Sequence, residues 1–132
     1  MYEELDPQAA HARLKGGEYV YLDVRTVEEF QAGRPAGARN VPLLNADQDS
    51  GRMVPNPAFL DSVEKVLPKD AKIIVGCKSG GRSASACQVM AQAGYKHLWN
   101  MQGGFHGKKG PQGSVFAKGW TDHNLPTESG AG

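Results

Sequence analysis

The stretch Lys72-Ile73-Ile74-Val75-Gly76-Cys77-Lys78-Ser79-Gly80-Gly81-Arg82-Ser83 restricts the fold of this chain more than any other. Its β-branched run has the pattern of a strand covered on both faces, as parallel strands between helices are. It passes directly into a Gly-containing turn, after which Ala84 to Ala93 reads as a helix stopped by Gly94. Strand, tight turn and helix in that order form the repeating unit of a parallel α/β sheet, and such sheets hold their ligands beyond the carboxyl ends of the strands.

The rest of the chain supplies units of the same kind. Asp6-Pro7, the apolar positions Ala9, Ala10, Ala12 and Leu14, and Gly16-Gly17 predict a short helix with an Asp cap, Pro in its first turn and Gly at its stop. Tyr19 to Asp23 predicts a strand. Thr26 and Glu29 have the capping-box spacing, which predicts a short helix through Phe30 to Ala32, broken by Gly33 and Pro35. Ala38 to Leu43 predicts a brief strand and Asn45 to Pro55 a loop. Asn56-Pro57 opens a helix carrying Phe59, Leu60, Val63, Val66 and Leu67 as far as Pro68. His97 to Met101 predicts a last strand before a turn at Gly103-Gly104. From His106 to Gly119 no period is legible, and a loop or ragged short helix is expected. Strands alternating with helices predict an α/β fold of three α/β/α layers around a mostly parallel sheet. The domain is expected over residues 1–126, with a disordered tail at 127–132.

A chain of 132 residues with 39% hydrophobic residues suffices for one core, and two domains are not expected. A net charge of +1 without a run of like charges argues against nucleic acid or an anionic membrane as the main partner. No apolar run approaches the roughly 18 residues of a membrane span. The start, Met1-Tyr2-Glu3-Glu4, lacks the basic and apolar regions of a secretory signal. Cys77 and Cys87 are too few for a disulfide framework and lack the clustered ligands of a zinc site, so a reducing compartment is expected. His11, His97, His106 and His123 are scattered without ligand spacing, and each is read as a surface or packing residue rather than a metal ligand.

The chemistry is concentrated at Cys77. It falls where a buried strand hands over to a helix, and the unpaired N–H groups and partial positive charge of a helix start favour a thiolate. Gly80 and Gly81 allow the backbone to curl so that successive N–H groups converge on one point. Lys78 and Arg82 add full positive charge, and Arg offers a planar fork for a tetrahedral oxyanion. A core cysteine needs none of these neighbours, so Cys77 is read as a nucleophile. Cys87 falls in a helical stripe with Ala84, Met90 and Ala91 and is read as core.

Cys77-Lys78-Ser79-Gly80-Gly81-Arg82-Ser83, together with Tyr21-Leu22-Asp23-Val24-Arg25, Glu28-Glu29-Phe30, Gly37-Ala38 and Asn40-Val41-Pro42, resembles the single-domain rhodaneses, especially those of plants. The resemblance runs from about Tyr19 to Gly104. It implies a sheet of about five strands, a cysteine that takes a sulfane sulfur from thiosulfate as a persulfide, and transfer to cyanide or a thiol, with neither a metal nor an organic cofactor. It further implies that Lys78, Ser79, Gly80, Gly81, Arg82 and Ser83 bind donor and persulfide, and that Asp23 and Arg25 support the site. Cys-based phosphatases and arsenate reductases of related architecture place five residues between Cys and Arg. Only four intervene here, and the tighter ring suits a persulfide better than a phosphoryl transition state. These enzymes are the alternative catalysts, and a non-catalytic persulfide carrier or binding module is the alternative outside catalysis.

Two positions depart from the family pattern. Arg34 stands where a His is common, which predicts altered packing with activity retained. The Trp usual after the Gly-Gly turn is replaced by Lys108-Lys109, and Trp120 follows about a dozen residues later, as if a segment were inserted. Expected partners are a small sulfur donor and a thiol or cyanide acceptor, with thioredoxin or glutathione as cellular candidates, no nucleic acid and no membrane. The chain is expected to be a monomer in the cytoplasm, or in the plastid stroma if it is a processed mature form.

Overall fold

The structure is a computed structural model that describes residues 2–47 and 49–130. Its strands are β1 (Glu3–Leu5), β2 (Tyr19–Asp23), β3 (Arg34–Pro35), β4 (Arg39–Asn40), β5 (Leu44–Ala46), β6 (Met53–Pro55), β7 (Lys72–Gly76), β8 (His97–Met101), β9 (Lys108–Lys109), β10 (Val115–Ala117) and β11 (Thr127–Glu128). The helices are α1 (Pro7–Lys15), α2 (Val27–Ala32), α3 (Phe59–Val66) and α4 (Gly81–Gln92). Five strands form the central sheet in the order β1-β8-β7-β2-β4, each pair of neighbours parallel.

Local chemistry accounts for the elements. Asp6 caps α1 by accepting from Ala9 N at 2.8 Å. The capping box of α2 is complete, with Thr26 Oγ1 accepting from Glu29 N and Glu29 Oε1 accepting from Thr26 N. Alternation in the strands divides the core between the two faces. Leu22, Ile73, Val75 and Leu98 pack with Phe59 and Val63 of α3 and with Ala86, Cys87 and Met90 of α4. Tyr21, Ile74 and Met101 pack on the opposite face with Ala10 of α1, Phe105 and Trp120. The pairings Tyr21↔Ile74 and Leu22↔Val75 keep each set on its own side. Helices thus cover a central parallel sheet on both faces, the predicted three-layer α/β arrangement.

One strand had no expectation, three segments differ from theirs, and one helix starts early. Glu3–Leu5 pairs with β8 as an edge strand, although its acidic, half-exposed sequence carries no strand pattern. The expected loop at Asn45 to Pro55 is a hairpin of β5 and β6, whose exposed residues have no buried face to impose alternation. His106 to Gly119 holds an irregular 3-10 turn at Pro111–Gly113, as expected of a ragged short helix, but between the strands of a two-stranded ribbon, β9 and β10, too short for a period of two to show. The expected disordered tail pairs Thr127–Glu128 with Pro35 and Arg34, while residues 131–132 lie outside the described residues. Helix α4 starts at Gly81, three residues before the expected Ala84, because Gly80 in the left-handed region turns the chain directly into it.

Arg34 explains the ordered tail. Its buried guanidinium donates to Phe30 O at 3.1 Å, to Gly130 O at 2.7 Å and to Glu128 Oε1 at 3.3 Å, and lies 4.2 Å from the Phe30 ring centroid. A buried cation requires such partners, and Glu128 and Gly130 supply two of them.

Candidate functional site

β7 runs the buried sequence Ile73-Ile74-Val75-Gly76 and ends at Cys77, which is 2% exposed. The inner side of Cys77 joins the apolar cluster of Val75, Ala86 and Cys87. Its sulfur also has polar neighbours: Gly80 N donates to Cys77 Sγ at 3.1 Å, and Ser83 Oγ lies 3.3 Å away. Gly80 makes this possible, since its φ of +110° belongs to the left-handed region. Gly81 has no such requirement, and a Cβ there would meet nothing within 4 Å. Among the described residues, Gly80 is the loop residue whose amide reaches the sulfur. No side chain caps α4, so the first N–H groups of that helix keep their bonding capacity for a guest.

The loop is clamped from a second segment. Phe105 N donates to Cys77 O at 2.7 Å and His106 N to Lys78 O at 3.0 Å. Gly104, with φ of +62°, allows this approach; a Cβ there would lie 2.5 Å from Cys77 O and from the Lys78 carbonyl carbon. The ribbon of β9 and β10 then loops out and returns. Trp120 N donates to Gly104 O at 2.9 Å and Thr121 N to Phe105 O at 3.0 Å. Trp120 is therefore buried beside the Gly103-Gly104 turn despite its displacement in sequence, and it packs on Tyr21 at 6.1 Å between ring centroids.

Asp23 and Arg25 meet just beyond β2. Arg25 Nη2 donates to Asp23 Oδ2 at 2.6 Å and to Gly33 O at 2.7 Å, and Arg25 Nε bonds both Asp23 oxygens. The guanidinium also lies 4.7 Å from the Phe105 ring centroid. This buried pair ties β2, the end of α2 and the clamp together.

Arg82 is not aimed over the loop as its fork suggested. Its Nη1 and Nη2 donate to Glu29 Oε1 and Oε2 at 2.7 and 3.0 Å. The Arg82 hydrogen bond is the main force holding the Glu29 carboxyl down at about 2, against partial burial. Thr26–Glu29 was legible only as a cap, so this second role of Glu29 had no signal in the sequence.

Two cavities flank the loop. One of about 230 Å³ is lined by Arg25, Glu29, Gly33, Lys78, Phe105 and His106. Burial, then the charges of Arg25 and Lys78, hold His106 below the ordinary histidine range. The other, of about 490 Å³, is lined by Glu4, Ser79, Gly80, Asn100, Lys108 and Phe116 among others. Cys77 lines neither cavity. Phe116 is 66% exposed on the ribbon.

Ser83 is buried beneath Cys77, and its hydroxyl also reaches Asn100 Oδ1 at 2.5 Å. Asn100, a polar residue buried in β8, was not among the residues singled out by sequence. Its signal was an Asn inside an otherwise apolar strand. Burial pushes the Cys87 thiol up to about 12, which suits a packing residue. Among the described residues no group of three or more His, Cys, Asp or Glu is placed to hold a metal ion, and no helix is long and apolar enough to cross a membrane.

Comparison with known proteins agrees with this layout. A family model described as a Rhodanese-like domain matches residues 6–110. The chain is 42% identical over 103 residues to Protein HIGH ARSENIC CONTENT 1, mitochondrial, of Arabidopsis thaliana, covering 78% of this chain and 59% of that protein. It therefore spans less than two thirds of that relative. It is 38% identical over 120 residues to Thiosulfate sulfurtransferase 16, chloroplastic, of the same plant, covering 91% and 88% of the two chains. The crystal structure of Rv0390 from M. tuberculosis superposes with a TM-score of 0.80 at 27% identity, covering 98% of this chain and 100% of that one.

Proposed function

This chain belongs to the rhodanese-like domain family, and we propose that it is a thiosulfate sulfurtransferase with Cys77 as its nucleophile. The observation that carries the reading is the Cys77 sulfur at the end of β7, accepting from Gly80 N at 3.1 Å, in a loop with four residues before Arg82. That loop offers the sulfur an amide donor and an uncapped helix start, with Lys78 at its rim.

In the first half-reaction the Cys77 thiolate attacks the outer sulfur of thiosulfate. A new S–S bond forms, the old one breaks, and sulfite departs with the electron pair. Lys78, at the rim of the 230 Å³ cavity, supplies positive charge for the dianionic donor and the leaving sulfite. The persulfide anion on Cys77 occupies the loop, stabilised by its amides. In the second half-reaction cyanide or a thiolate attacks the outer persulfide sulfur, and the Cys77 thiolate is restored. Neither step needs a dedicated base. Glutathione or thioredoxin is the proposed cellular acceptor, and the protein is proposed to act as a monomer. Of the compartments expected, the plastid stroma is the one that the chloroplastic relative favours.

A second reading, arsenate reduction, is favoured by the name of one relative, HIGH ARSENIC CONTENT 1. There two thiol equivalents become a disulfide while arsenate is reduced to arsenite and one oxygen leaves as water. Thiocyanate formed from thiosulfate and cyanide is compared with arsenite formed from arsenate and a thiol, and with phosphate released from an aryl phosphate. Thiocyanate formation well above the other two is expected. Arsenite or phosphate alone overturns the sulfur reading.

A further inference from the structure

Ser83 has one hydroxyl proton and three neighbours within reach: Asn100 Oδ1 at 2.5 Å, Gly80 O at 3.2 Å and Cys77 Sγ at 3.3 Å. The two oxygens can only accept, so the proton goes to one neighbour at a time. Asn100 is not free to choose its orientation. Its Nδ2 donates to Glu4 Oε1 and Oε2 at 3.0 and 3.2 Å and lies 3.4 Å from Gly80 O. Glu4 holds that position because β1 is in register with β8, where Glu4 pairs with Asn100. With Nδ2 committed to Glu4, Asn100 Oδ1 must face Ser83, and the shortest of the three contacts takes the proton.

We propose that Glu4 is a positioning residue for Cys77: through the amide of Asn100 it holds the Ser83 proton away from the sulfur and turns the Ser83 oxygen lone pairs toward it. In this state a Cys77 thiol donates to Ser83 Oγ, and a thiolate receives no hydrogen bond from Ser83. Gly80 N then remains the donor to the sulfur. Without Glu4, the Asn100 amide can rotate to donate Nδ2 to Ser83 Oγ, which releases the hydroxyl proton to a sulfur anion. The chain of contacts therefore sets whether the Ser83 hydroxyl can donate to the Cys77 sulfur.

The other groups around Cys77 do not enter this chain. Tyr21 and Asp23 stand on β2, Arg25 follows that strand, Glu29 belongs to α2, and Arg82 and Cys87 belong to α4. Lys78 and His106 stand at the rim. Among the described residues none of them hydrogen-bonds the Ser83 hydroxyl or the Asn100 side chain; the Glu4 charge also acts through space, raising the neighbouring Cys87 thiol, and Glu4→Gln removes that charge while keeping an acceptor for Asn100.

The inference rests on Cys77 being the nucleophile, but alkylation reports the thiol whether or not the protein moves sulfur, so failure of one is distinguishable from failure of the other. The pH dependence of Cys77 alkylation by iodoacetamide, read from the labelled peptide, is compared in the wild type, Glu4→Ala, Glu4→Gln, Ser83→Ala and the Glu4→Ala/Ser83→Ala pair. Glu4→Ala is expected to lower the half-maximal pH by about one unit, the size of one gained hydrogen bond to a charged group. Glu4→Gln still accepts from Asn100 and is expected to follow the wild type, which separates orientation from charge. In the Ser83→Ala background the effect of Glu4→Ala is expected to vanish. An unchanged profile in Glu4→Ala, an equal shift in Glu4→Gln, or a shift that persists without Ser83 overturns the proposal.

Discussion

The guanidinium of Arg82 lies flat against the carboxylate of Glu29, at 2.7 and 3.0 Å, across the rim of the cysteine loop. The pair joins the first turn of α4 to the capping box of α2, so one carboxylate both starts a helix and restrains the loop's arginine. An anion that is to use the Arg82 fork must therefore compete with Glu29 for it.

Glu29→Gln preserves the cap, because Gln also serves at that position, and removes the charge opposite Arg82. With a free cation beside the cavity of Lys78 and Arg25, KM for thiosulfate is expected to fall by roughly two- to fivefold with kcat little changed, the scale of a partly exposed ion pair. Steady-state kinetics at fixed ionic strength measures it. A raised KM would mean that Arg82 binds donor only while Glu29 holds it.

The same pair predicts an acid limb of stability. The Glu29 carboxyl is held at about 2 when folded, below its unfolded value. Its contribution is therefore complete above about pH 5 and is lost as pH falls through about 2. Exposure of both side chains, 22% and 30%, limits the contribution to about 1 kcal/mol. Urea unfolding of the wild type and Glu29→Gln is expected to differ at pH 6 and to converge toward pH 2; a constant difference contradicts this origin.

Gly104→Ala puts a Cβ into the backbone of Cys77 and Lys78 at a left-handed φ. It is expected to cost about 2–3 kcal/mol and to lower kcat/KM at least about tenfold by displacing the loop. Gly81→Ala is expected to be tolerated, since its Cβ meets open space. Thermal unfolding and kinetics of the two variants check the contrast, and equal effects would contradict it.

Truncation after Pro126 removes Glu128 and Gly130, two of the partners of the buried Arg34. A loss of about 1–3 kcal/mol is expected, from a buried charge left with fewer partners. Denaturation of the truncated chain that matches the full chain would show the tail to be dispensable.

What the sequence made legible follows burial. β2, β7 and β8 fall on their expected bounds because each has faces that must be apolar, and the caps of α1 and α2 lie where Asp6 and Thr26 mark them. Glu3–Leu5, the β5–β6 hairpin and the ribbon carry few buried residues, so no period marks them. At the site, the place of Cys77 at the end of a buried strand was legible from the β-branched run before it, and a turn glycine was legible as the pair Gly80-Gly81, of which only Gly80 takes the left-handed conformation. The partners Glu29, Asn100 and Glu4 were not, since only the fold brings them within hydrogen-bond distance of Arg82 and Ser83. The return of Trp120 to Gly104 was hidden for the same reason: an insertion is visible in sequence, but its closure is a matter of tertiary contact.

Intact-mass measurement after incubation with thiosulfate and removal of excess donor tests the sulfur chemistry most directly. Wild-type protein is expected to gain the mass of one sulfur atom, located on the Cys77 peptide and released by cyanide as thiocyanate. Cys87→Ser is expected to gain it equally and Cys77→Ser not at all. An increment on Cys87, or none on wild-type protein, would contradict Cys77 as the sulfur-carrying nucleophile.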